Sequence, residues 1–282
     1  MNNTVVRSLS GTLFVIIMTG SLLLSPVIFA MVMLFSVLVM SREFLHISNK
    51  GNYPATTRIT LAVSAAVYAL FYFYGSGLMA PRYFWLLALL MAAIPISLLY
   101  SKDKPAKTMG DGYEKSGFFL MAPVYTALPF ALTNLVLFDS QHNHNPYILL
   151  SLFILLWSCD VGAYVFGMAF GQKNGHKLFP SVSPKKSWEG FFGGMFSSLV
   201  TAFLIYYFDL LDFGFFHIAA ISIIVFLFSV FGDLVESLFK RNFCVKDSGN
   251  LMPGHGGLLD RFDGALVAFP VAIAYIKIFE LF

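Results

Sequence analysis

The sequence predicts an all-α protein, a polytopic bundle of about nine helices that cross a membrane. Hydrophobic residues make up 58% of the chain and charged residues only 12%, whereas soluble domains are about 45–50% apolar and about 25% charged. Apolar stretches of about 17–25 residues, the length that crosses a bilayer, recur from one end of the chain to the other. Basic residues collect in alternate connections between these stretches. Together these observations predict an integral membrane protein.

The spans are expected at residues 8–24, 26–45, 58–75, 82–100, 117–138, 147–170, 190–208, 217–239 and 261–281. The first two come from one apolar run at 11–40, which is too long for a single ordinary span. Pro26 lies in the middle of this run, and a proline inside a helix removes a hydrogen bond and favours a break. Two short spans in a tight hairpin are therefore expected, with one long tilted helix as the alternative.

The distribution of basic residues predicts the orientation. With nine spans, sixteen of the eighteen Lys and Arg residues fall at the N-terminus or in the connections after the second, fourth, sixth and eighth spans. Only Arg82 and Lys277 fall on the other side. Because basic loops stay in the cytoplasm, we expect those connections inside and the C-terminus outside. The polar connections at 100–117 and 171–189 are expected to be solvated loops.

One membrane-embedded bundle is expected, with N-terminal spans in residues 1–116 and catalytic spans with cytoplasmic loops in residues 117–282. Cys159 and Cys244 are too few and too differently placed to indicate a disulfide framework. The expected partner is the lipid bilayer, with no nucleic acid. Small residues spaced for helix packing leave a homodimer open.

Asp160 is the first residue that indicates chemistry. It lies inside the apolar span at 147–170, where an ionised Asp costs about 2.5–3.5 kcal/mol on insertion scales. Asp160 should therefore face a polar cavity or a partner. The alternative is a structural Asp hydrogen-bonded to a neighbouring helix. Gly167 and Gly171 follow at a spacing that permits close helix contact.

The segment Ser183-Pro184-Lys185-Lys186 is predicted to begin the next helix, with Ser183 as its N-cap and Pro184 at its first position. Free N–H groups there, with Lys185 and Lys186, would suit an anion such as phosphate. The alternative is that the two lysines only follow the topology rule. Gly190 and Gly194 repeat the small-residue spacing, so this helix is expected to pack closely on another.

The stretch 232–264 concentrates charge at the edge of the membrane: five acids, four bases and a histidine in 33 residues. On a helix, the spacing of Asp233, Glu236, Ser237 and Lys240 places all four on one stripe. Asp260 and Asp263 open the last span at i, i+3. Carboxylates that converge from two helices near a basic loop are typical of a site for Mg²⁺ with phosphate oxygens completing its shell. Structural salt bridges at a helix end are the alternative.

A polyphosphate is the anion that this site would accept. Four basic residues from this stretch are candidates to neutralise it: Lys240, Arg241, Lys246 and Arg261. Glycines flank His255 on both sides, and we expect their backbone N–H groups to approach the phosphates closely.

These residues carry a resemblance. The pattern Ser237-x-x-Lys240-Arg241-x4-Lys246-Asp247-x-Gly249-x3-Pro253-Gly254-His255-Gly256-Gly257-x-x-Asp260-Arg261-x-Asp263 resembles the signature of the phosphatidate cytidylyltransferases, also called CDP-diacylglycerol synthases. The resemblance extends to the segment from Asp160 to Tyr164 and to the Ser183-Pro184-Lys185-Lys186-Ser187 segment. It covers the C-terminal half, and the N-terminal spans agree only in kind.

The resemblance implies that CTP and phosphatidic acid react, with Mg²⁺ as the cofactor, to give CDP-diacylglycerol and pyrophosphate. It implies that Asp233, Asp260 and Asp263 bind the metal, with Glu236, Ser237 and Asp247 in support. The residues implied to bind the CTP phosphates are Lys240, Arg241, Lys246, His255 and Arg261. Ser183, Lys185 and Lys186 are left between the lipid phosphate and the triphosphate. A site on the cytoplasmic face of a bacterial plasma membrane is expected.

Two other families of function are less consistent with the sequence. Asp260-x-x-Asp263-Gly264 is similar to the start of the CDP-alcohol phosphotransferase pattern, but no further Asp follows before the C-terminus, which rejects that family. An ion-coupled transporter would also hold acids in the membrane. It would need polar residues along a path to the outer face, and the outer half is strongly apolar.

Overall fold

A computed structural model describes residues 3–50, 52–99, 111–171 and 176–282. Its helices are α1 (Asn3–Leu24), α2 (Pro26–Asn49), α3 (Pro54–Gly75), α4 (Leu86–Leu99), α5 (Asp111–Ala122), α6 (Leu128–Leu137), α7 (Tyr147–Phe166), α8 (Trp188–Tyr207), α9 (Phe215–Asn242) and α10 (Leu259–Ile278). Two short strands, β1 (Lys177–Phe179) and β2 (Ser183–Ser187), precede α8. The predicted loop at 100–117 lies outside the described residues as far as position 110, but α5 begins at Asp111, so the prediction of a loop is wrong from there on. Of the next predicted loop, residues 172–175 lie outside the described residues, and the rest contains β1 and β2.

The helices confirm the all-α membrane fold. A 3₁₀ turn at Pro81–Trp85 leads into α4, and a π-helical turn at Pro123–Ala127 joins α5 to α6. Within the described ranges, seven helical segments are long and apolar enough to cross a membrane. The apolar part of α1, Ser8–Leu24, and α10 add two shorter or more polar segments. The result agrees with the prediction of about nine spans.

The break between the first two spans lies where the proline predicted it. α1 ends at Leu24 and α2 begins at Pro26, with Ser25 extended between them at φ −165° and ψ 136°. The Ser25 hydroxyl accepts the N–H of Val27 at 3.3 Å, which caps the new helix. The interpretation as two spans is confirmed, and the single long helix is excluded.

By its contacts the chain separates into two compact units. The first unit comprises Met1–His144 and Phe243–Phe262. In its core the Phe262 ring packs edge-on against Phe14 and Phe130, with centroids 5.3 and 4.9 Å apart. The predicted division of the chain at residue 116 concerned catalytic role rather than packing, and it stays a prediction.

A tight loop at 138–146 lies at one end of this unit. The Asp139 carboxylate accepts the N–H groups of Gln141 and Asn143 at 2.8 Å each, and the hydrogen bond from Asn143 lowers the pKa of Asp139. His142 Nδ1 lies 2.9 Å from the carbonyl oxygen of Gly75 at the end of α3. These bonds satisfy the backbone where the chain turns back.

The second unit comprises Asn145–Asn242 and Asp263–Phe282. Glycines bring α7 and α8 together in this unit. A Cβ on Gly190 would lie 2.9 Å from the Ala163 carbonyl oxygen, and one on Gly194 would lie 3.0 Å from the Cys159 carbonyl oxygen. Side chains at these positions would force the backbones apart. The predicted close packing of this helix is therefore confirmed.

The same unit brings α9 and α10 into contact. A Cβ on Gly264 would lie 3.1 Å from Ser229 Cβ and 3.3 Å from Leu156 Cδ1. The space beside Gly264 is filled by neighbouring helices. Close approach at Gly264 places the start of this part of α10 beside Asp233 on α9.

Candidate active site

Three carboxylates from three helices form an acidic cluster in the second unit. Asp263 on α10 interacts electrostatically with Asp233 on α9 and Asp160 on α7. Asp233 and Asp263 are both half-buried, and Asp160 is exposed on its helix. Asp160 thus lies near other charged side chains, and the prediction that it faces a polar cavity or a partner stays a prediction. The acidic cluster thus consists of Asp160, Asp233 and Asp263.

Lys186 supplies the positive charge beside the acidic cluster. Its Nζ lies 2.8 Å from Asp233 Oδ2, and it also interacts with Asp263. On the other side of Asp233, the Ser237 hydroxyl donates to Oδ1 at 3.2 Å. Asp233 is therefore oriented by two neighbours, one from β2 and one from the next turn of α9.

The prediction that Ser183 begins a helix is wrong. Ser183 begins β2, which pairs antiparallel with β1, and α8 starts only at Trp188. The helix is capped instead by Ser187, whose hydroxyl accepts the N–H of Gly190 at 3.2 Å. The strand pairing outweighs the local preference of Ser-Pro for a helix start. Pro184 lies inside the two-stranded hairpin rather than at a helix N-terminus.

Because Lys185 and Lys186 lie in a strand and not in a helix start, their side chains have different surroundings. In a strand, successive side chains point to opposite faces. Lys186 is half-buried and reaches Asp233, whereas Lys185 is exposed. The expectation that both lysines and a helix N-terminus face one anion is therefore wrong in geometry. Of the pair, Lys186 is the one that the fold brings to the acidic cluster.

Glu236 and Lys240 form an ion pair one turn further along α9. Lys240 Nζ lies 2.5 Å from Glu236 Oε2, with both side chains largely buried. The predicted stripe exists, but its two acids have different partners, since Asp233 pairs with Lys186 and Glu236 with Lys240. A metal-binding role for Glu236 and a phosphate-binding role for Lys240 stay predictions.

The acidic cluster offers oxygen ligands of the kind that Mg²⁺ prefers. Three carboxylates stand against one ammonium group from Lys186, so negative charge is in excess and a hard cation would offset it. Among the residues that the structure describes, no group of three or more His, Cys, Asp and Glu side chains is arranged so that it could hold a metal ion. Mg²⁺ is usually held by one or two carboxylates, with water and substrate phosphates completing its shell. Binding of Mg²⁺ at the acidic cluster therefore stays a prediction.

Asp260 lies in the first unit, where its own loop surrounds it. Asp260 Oδ2 accepts the N–H groups of Ser248 at 2.9 Å and Gly257 at 2.8 Å. Gly256, with φ +82°, turns the chain tightly past this carboxylate. The Gly257 N–H, which was expected to face a phosphate, thus binds a carboxylate of the protein. That Asp260 shares a metal with Asp233 and Asp263 stays a prediction.

Glu43 is a buried carboxylate of the first unit that the sequence did not single out. It lies on α2, and it accepts the N–H groups of Leu258 at 3.1 Å and Leu259 at 2.8 Å. The Ser248 hydroxyl also donates to it at 3.3 Å. An acid inside an otherwise apolar span was the available signal, as for Asp160, but nothing nearby in sequence indicated its partner.

His255 is held by the first helix. Ser10 Oγ lies 2.7 Å from His255 Nδ1 and donates to the Pro253 carbonyl oxygen at 3.2 Å. A Cβ on Gly11 would lie 3.4 Å from the His255 ring. The ring is half-buried, and one of its two nitrogens is therefore engaged within the unit.

The remaining predicted residues lie at the surface of their units. Exposed side chains belong to Arg241, Lys246, Asp247 and Arg261. Their roles in binding phosphate or supporting the site stay predictions. The loop that carries two of them is nevertheless ordered by the carboxylates of Glu43 and Asp260.

The fold and the site define a multi-pass helical membrane protein with an acidic cluster, a lysine beside it on β2 and a Glu–Lys ion pair on α9. Residues 5–279 match the sequence profile of the Cytidylyltransferase family. A protein of Staphylococcus aureus strain COL, named phosphatidate cytidylyltransferase, is 40% identical over 156 residues, which is 55% of this chain and 57% of the relative. Proteins of the same name from Staphylococcus haemolyticus and Staphylococcus epidermidis are 40% and 39% identical over the same length.

The match to these curated relatives spans little more than half of their length. The family profile, in contrast, covers nearly the whole chain. This chain belongs to the cytidylyltransferase family.

Proposed function

We propose that this protein transfers the cytidylyl group of CTP to phosphatidic acid, giving CDP-diacylglycerol and pyrophosphate. The observation that carries the proposal is the family match over residues 5–279, and the relatives named phosphatidate cytidylyltransferase support the choice of lipid acceptor. The geometry adds an acidic cluster with a lysine at the end of membrane helices. The family match gives no support to the transport alternative.

The proposed reaction needs two anions brought together and the leaving group stabilised. A phosphate oxygen of phosphatidic acid forms a bond to the α-phosphorus of CTP, and the bond from that phosphorus to the pyrophosphate oxygen breaks. Phosphatidic acid is already anionic near neutral pH, so no general base is required. Catalysis then consists of positioning and charge stabilisation.

We propose that Asp233 and Asp263 hold Mg²⁺, with Asp160 adding negative charge to the cluster. The ion, when bound, would neutralise the triphosphate and polarise the reacting phosphate. Lys186 and Ser237 hold Asp233 in place. Lys240 and the exposed Arg241, Lys246 and Arg261 are proposed to bind phosphate oxygens.

The placement of these residues matches the origin of the substrates. CTP is water-soluble, whereas phosphatidic acid lies in the bilayer, and the proposed residues are at the ends of spans. We propose that this end faces the cytoplasm of a bacterial plasma membrane, because the basic connections are on the same side. We also propose that two copies associate as a homodimer through their membrane helices.

The test uses the purified full chain in lipid nanodiscs with Mg²⁺, phosphatidic acid and CTP labelled at either the α- or the γ-phosphate. Cytidylyl transfer places the α-label in the lipid and the γ-label in pyrophosphate. Diacylglycerol in place of phosphatidic acid is the control, since it lacks the attacking phosphate. A γ-label in the lipid would indicate phosphoryl transfer instead, and no labelled lipid at all would refute the proposal.

A further inference from the structure

Glu43 joins the second helix to the start of the last one. Its side chain is buried, with the residue only 9% exposed, and its two carboxylate oxygens accept the N–H groups of Leu258 and Leu259. Leu259 is the first residue of α10. The first N–H groups of a helix have no partner within the helix, so Glu43 supplies one from a segment more than 200 residues away.

Glu43 and Asp260 bind neighbouring groups of the same loop. Asp260 receives the N–H groups of Ser248 and Gly257, and Glu43 receives those of Leu258 and Leu259. The two carboxylates also interact electrostatically. Their repulsion is offset by these N–H donors and by the positive end of the α10 dipole. The loop thus holds two like charges close together.

The glycines of the loop make room for Glu43. A Cβ on Gly249 would lie 2.5 Å from Glu43 Oε1, and a Cβ on Gly257 would lie 2.7 Å from both carboxylate oxygens. Gly257, one of the glycines that were predicted to approach a phosphate, therefore makes room for the Glu43 carboxylate. It lets the loop close around a side chain from α2.

We propose that Glu43 is a positioning residue that sets the first turn of α10 and, through it, the carboxylate of Asp260. The inference rests on the proposed function, since Asp260 is expected to serve Mg²⁺ and CTP there. Glu43 is proposed to act through the groups that it binds, which are the Ser248 hydroxyl and the Leu258 and Leu259 N–H groups.

The first experiment measures turnover of Glu43→Gln in the nanodisc assay as a function of CTP and Mg²⁺. The Gln side chain keeps the size but carries one acceptor instead of two and no charge, so one N–H is left without a partner. We expect kcat to fall about tenfold to a hundredfold, and the Mg²⁺ concentration for half-maximal rate to rise. The KM for CTP should change far less. Glu43→Asp keeps the charge on a shorter side chain and should recover part of the rate.

Ser48→Ala is the matched control on the same helix. Ser48 is also buried, but its hydroxyl donates only to the carbonyl oxygens of Phe44 and Leu45. Its removal should leave kcat and the Mg²⁺ dependence unchanged. A Glu43→Gln protein that loses rate only in proportion to its folded fraction, with an unchanged Mg²⁺ dependence, would overturn the positioning role.

The second experiment is independent of activity. Amide hydrogen exchange of the peptide over residues 247–262 should be about tenfold or more faster in Glu43→Gln, since buried hydrogen bonds protect these amides. Peptides from α7 and α8 should not change. Equal exchange in both proteins would overturn the proposal even if the enzyme is active. A wild-type protein that protects these amides but transfers no cytidylyl group would refute the proposed function while leaving the Glu43 contact in place.

Discussion

Asp263 interacts with several charged side chains of the second unit. It interacts with Asp160, Asp233 and Lys186, while its Oδ1 accepts the N–H of Gly264 at 2.8 Å. An Asn at this position keeps an oxygen for that N–H but loses the negative charge. The residue therefore offers a clean separation of charge from structure.

We expect Asp263→Asn to insert normally and to lower kcat/KM for CTP by about a hundredfold or more, because removing one group that stabilises charge in a reaction commonly costs about 10²–10³ in rate. The labelled-CTP assay measures it, with membrane content checked by immunoblot. Asp139→Asn is the control, as Asp139 is a half-exposed acid in the loop at 138–146 and lies outside the acidic cluster. Near-normal turnover of Asp263→Asn would remove this residue from the site.

Lys185 and Lys186 provide a comparison between adjacent residues of equal charge. Lys186→Gln removes the partner of Asp233, whereas Lys185→Gln removes an exposed ammonium. Losing the charged partner of a half-buried acid should lower kcat/KM by about tenfold or more. Lys185→Gln should show the smaller loss. If Lys185→Gln proves the more damaging change, the assignment of Lys186 as the functional lysine is wrong.

At the scale of elements, the hairpin β1–β2 shows what a local pattern could not predict. Ser183-Pro184 has the composition of a helix start, but pairing with Lys177–Phe179 keeps Ser183–Ser187 extended. Ser187, four residues later, takes the capping role. Both serines satisfy the N-cap preference, and the choice between them depends on strand pairing that spans residues 177–187.

The contact between α7 and α8 leads to a prediction about stability. Gly190→Ala should lower the thermal unfolding temperature, since its Cβ would lie 2.9 Å from the Ala163 carbonyl oxygen and 3.3 Å from Gly167 Cα. Overpacking of this kind costs about 1–3 kcal/mol. Unfolding in detergent, followed by a thiol-reactive dye or by scanning fluorimetry, measures it.

Gly20→Ala is the matched control in α1, where a Cβ would meet nothing within 4 Å. Alanine is a better helix former than glycine by about 1 kcal/mol, so this change should leave stability equal or higher. Equal destabilisation by both alanines would mean that the α7–α8 contact is not close.

At the scale of the whole chain, the spans were predictable because hydrophobicity decides them. The ranges 26–45 and 147–170 agree with α2 and with α7 extended by its π-helical turn to within a few residues. Pro26 marked the first break. The acids Asp160, Asp233 and Asp263 could be singled out from the sequence because an ionised group inside a span needs a partner. Glu43 was not placed, since its partners lie beyond residue 247 and no local spacing links them.

The predicted orientation is tested with the native cysteines. Cys244 is exposed in the loop after α9, whereas Cys159 is buried. A membrane-impermeant maleimide should therefore label Cys244 in inside-out vesicles but not in intact spheroplasts, because the basic loop after α9 is expected in the cytoplasm. Gln141→Cys in a Cys244→Ser background should show the reverse. Labelling of Cys244 in intact spheroplasts would show that the orientation is the opposite of the predicted one.

The bond between Glu43 and the start of α10 also has a consequence for biosynthesis. The ribosome makes Glu43 about 205 residues before Ser248, which at roughly 5–20 residues per second is a delay of roughly 10 to 40 s. During that interval α2 is in the translocon or the bilayer with its acid not yet bound by the loop. A nascent chain arrested before residue 248 should therefore be a substrate for membrane quality control, and degradation of such arrested chains should slow when Glu43 is replaced by leucine.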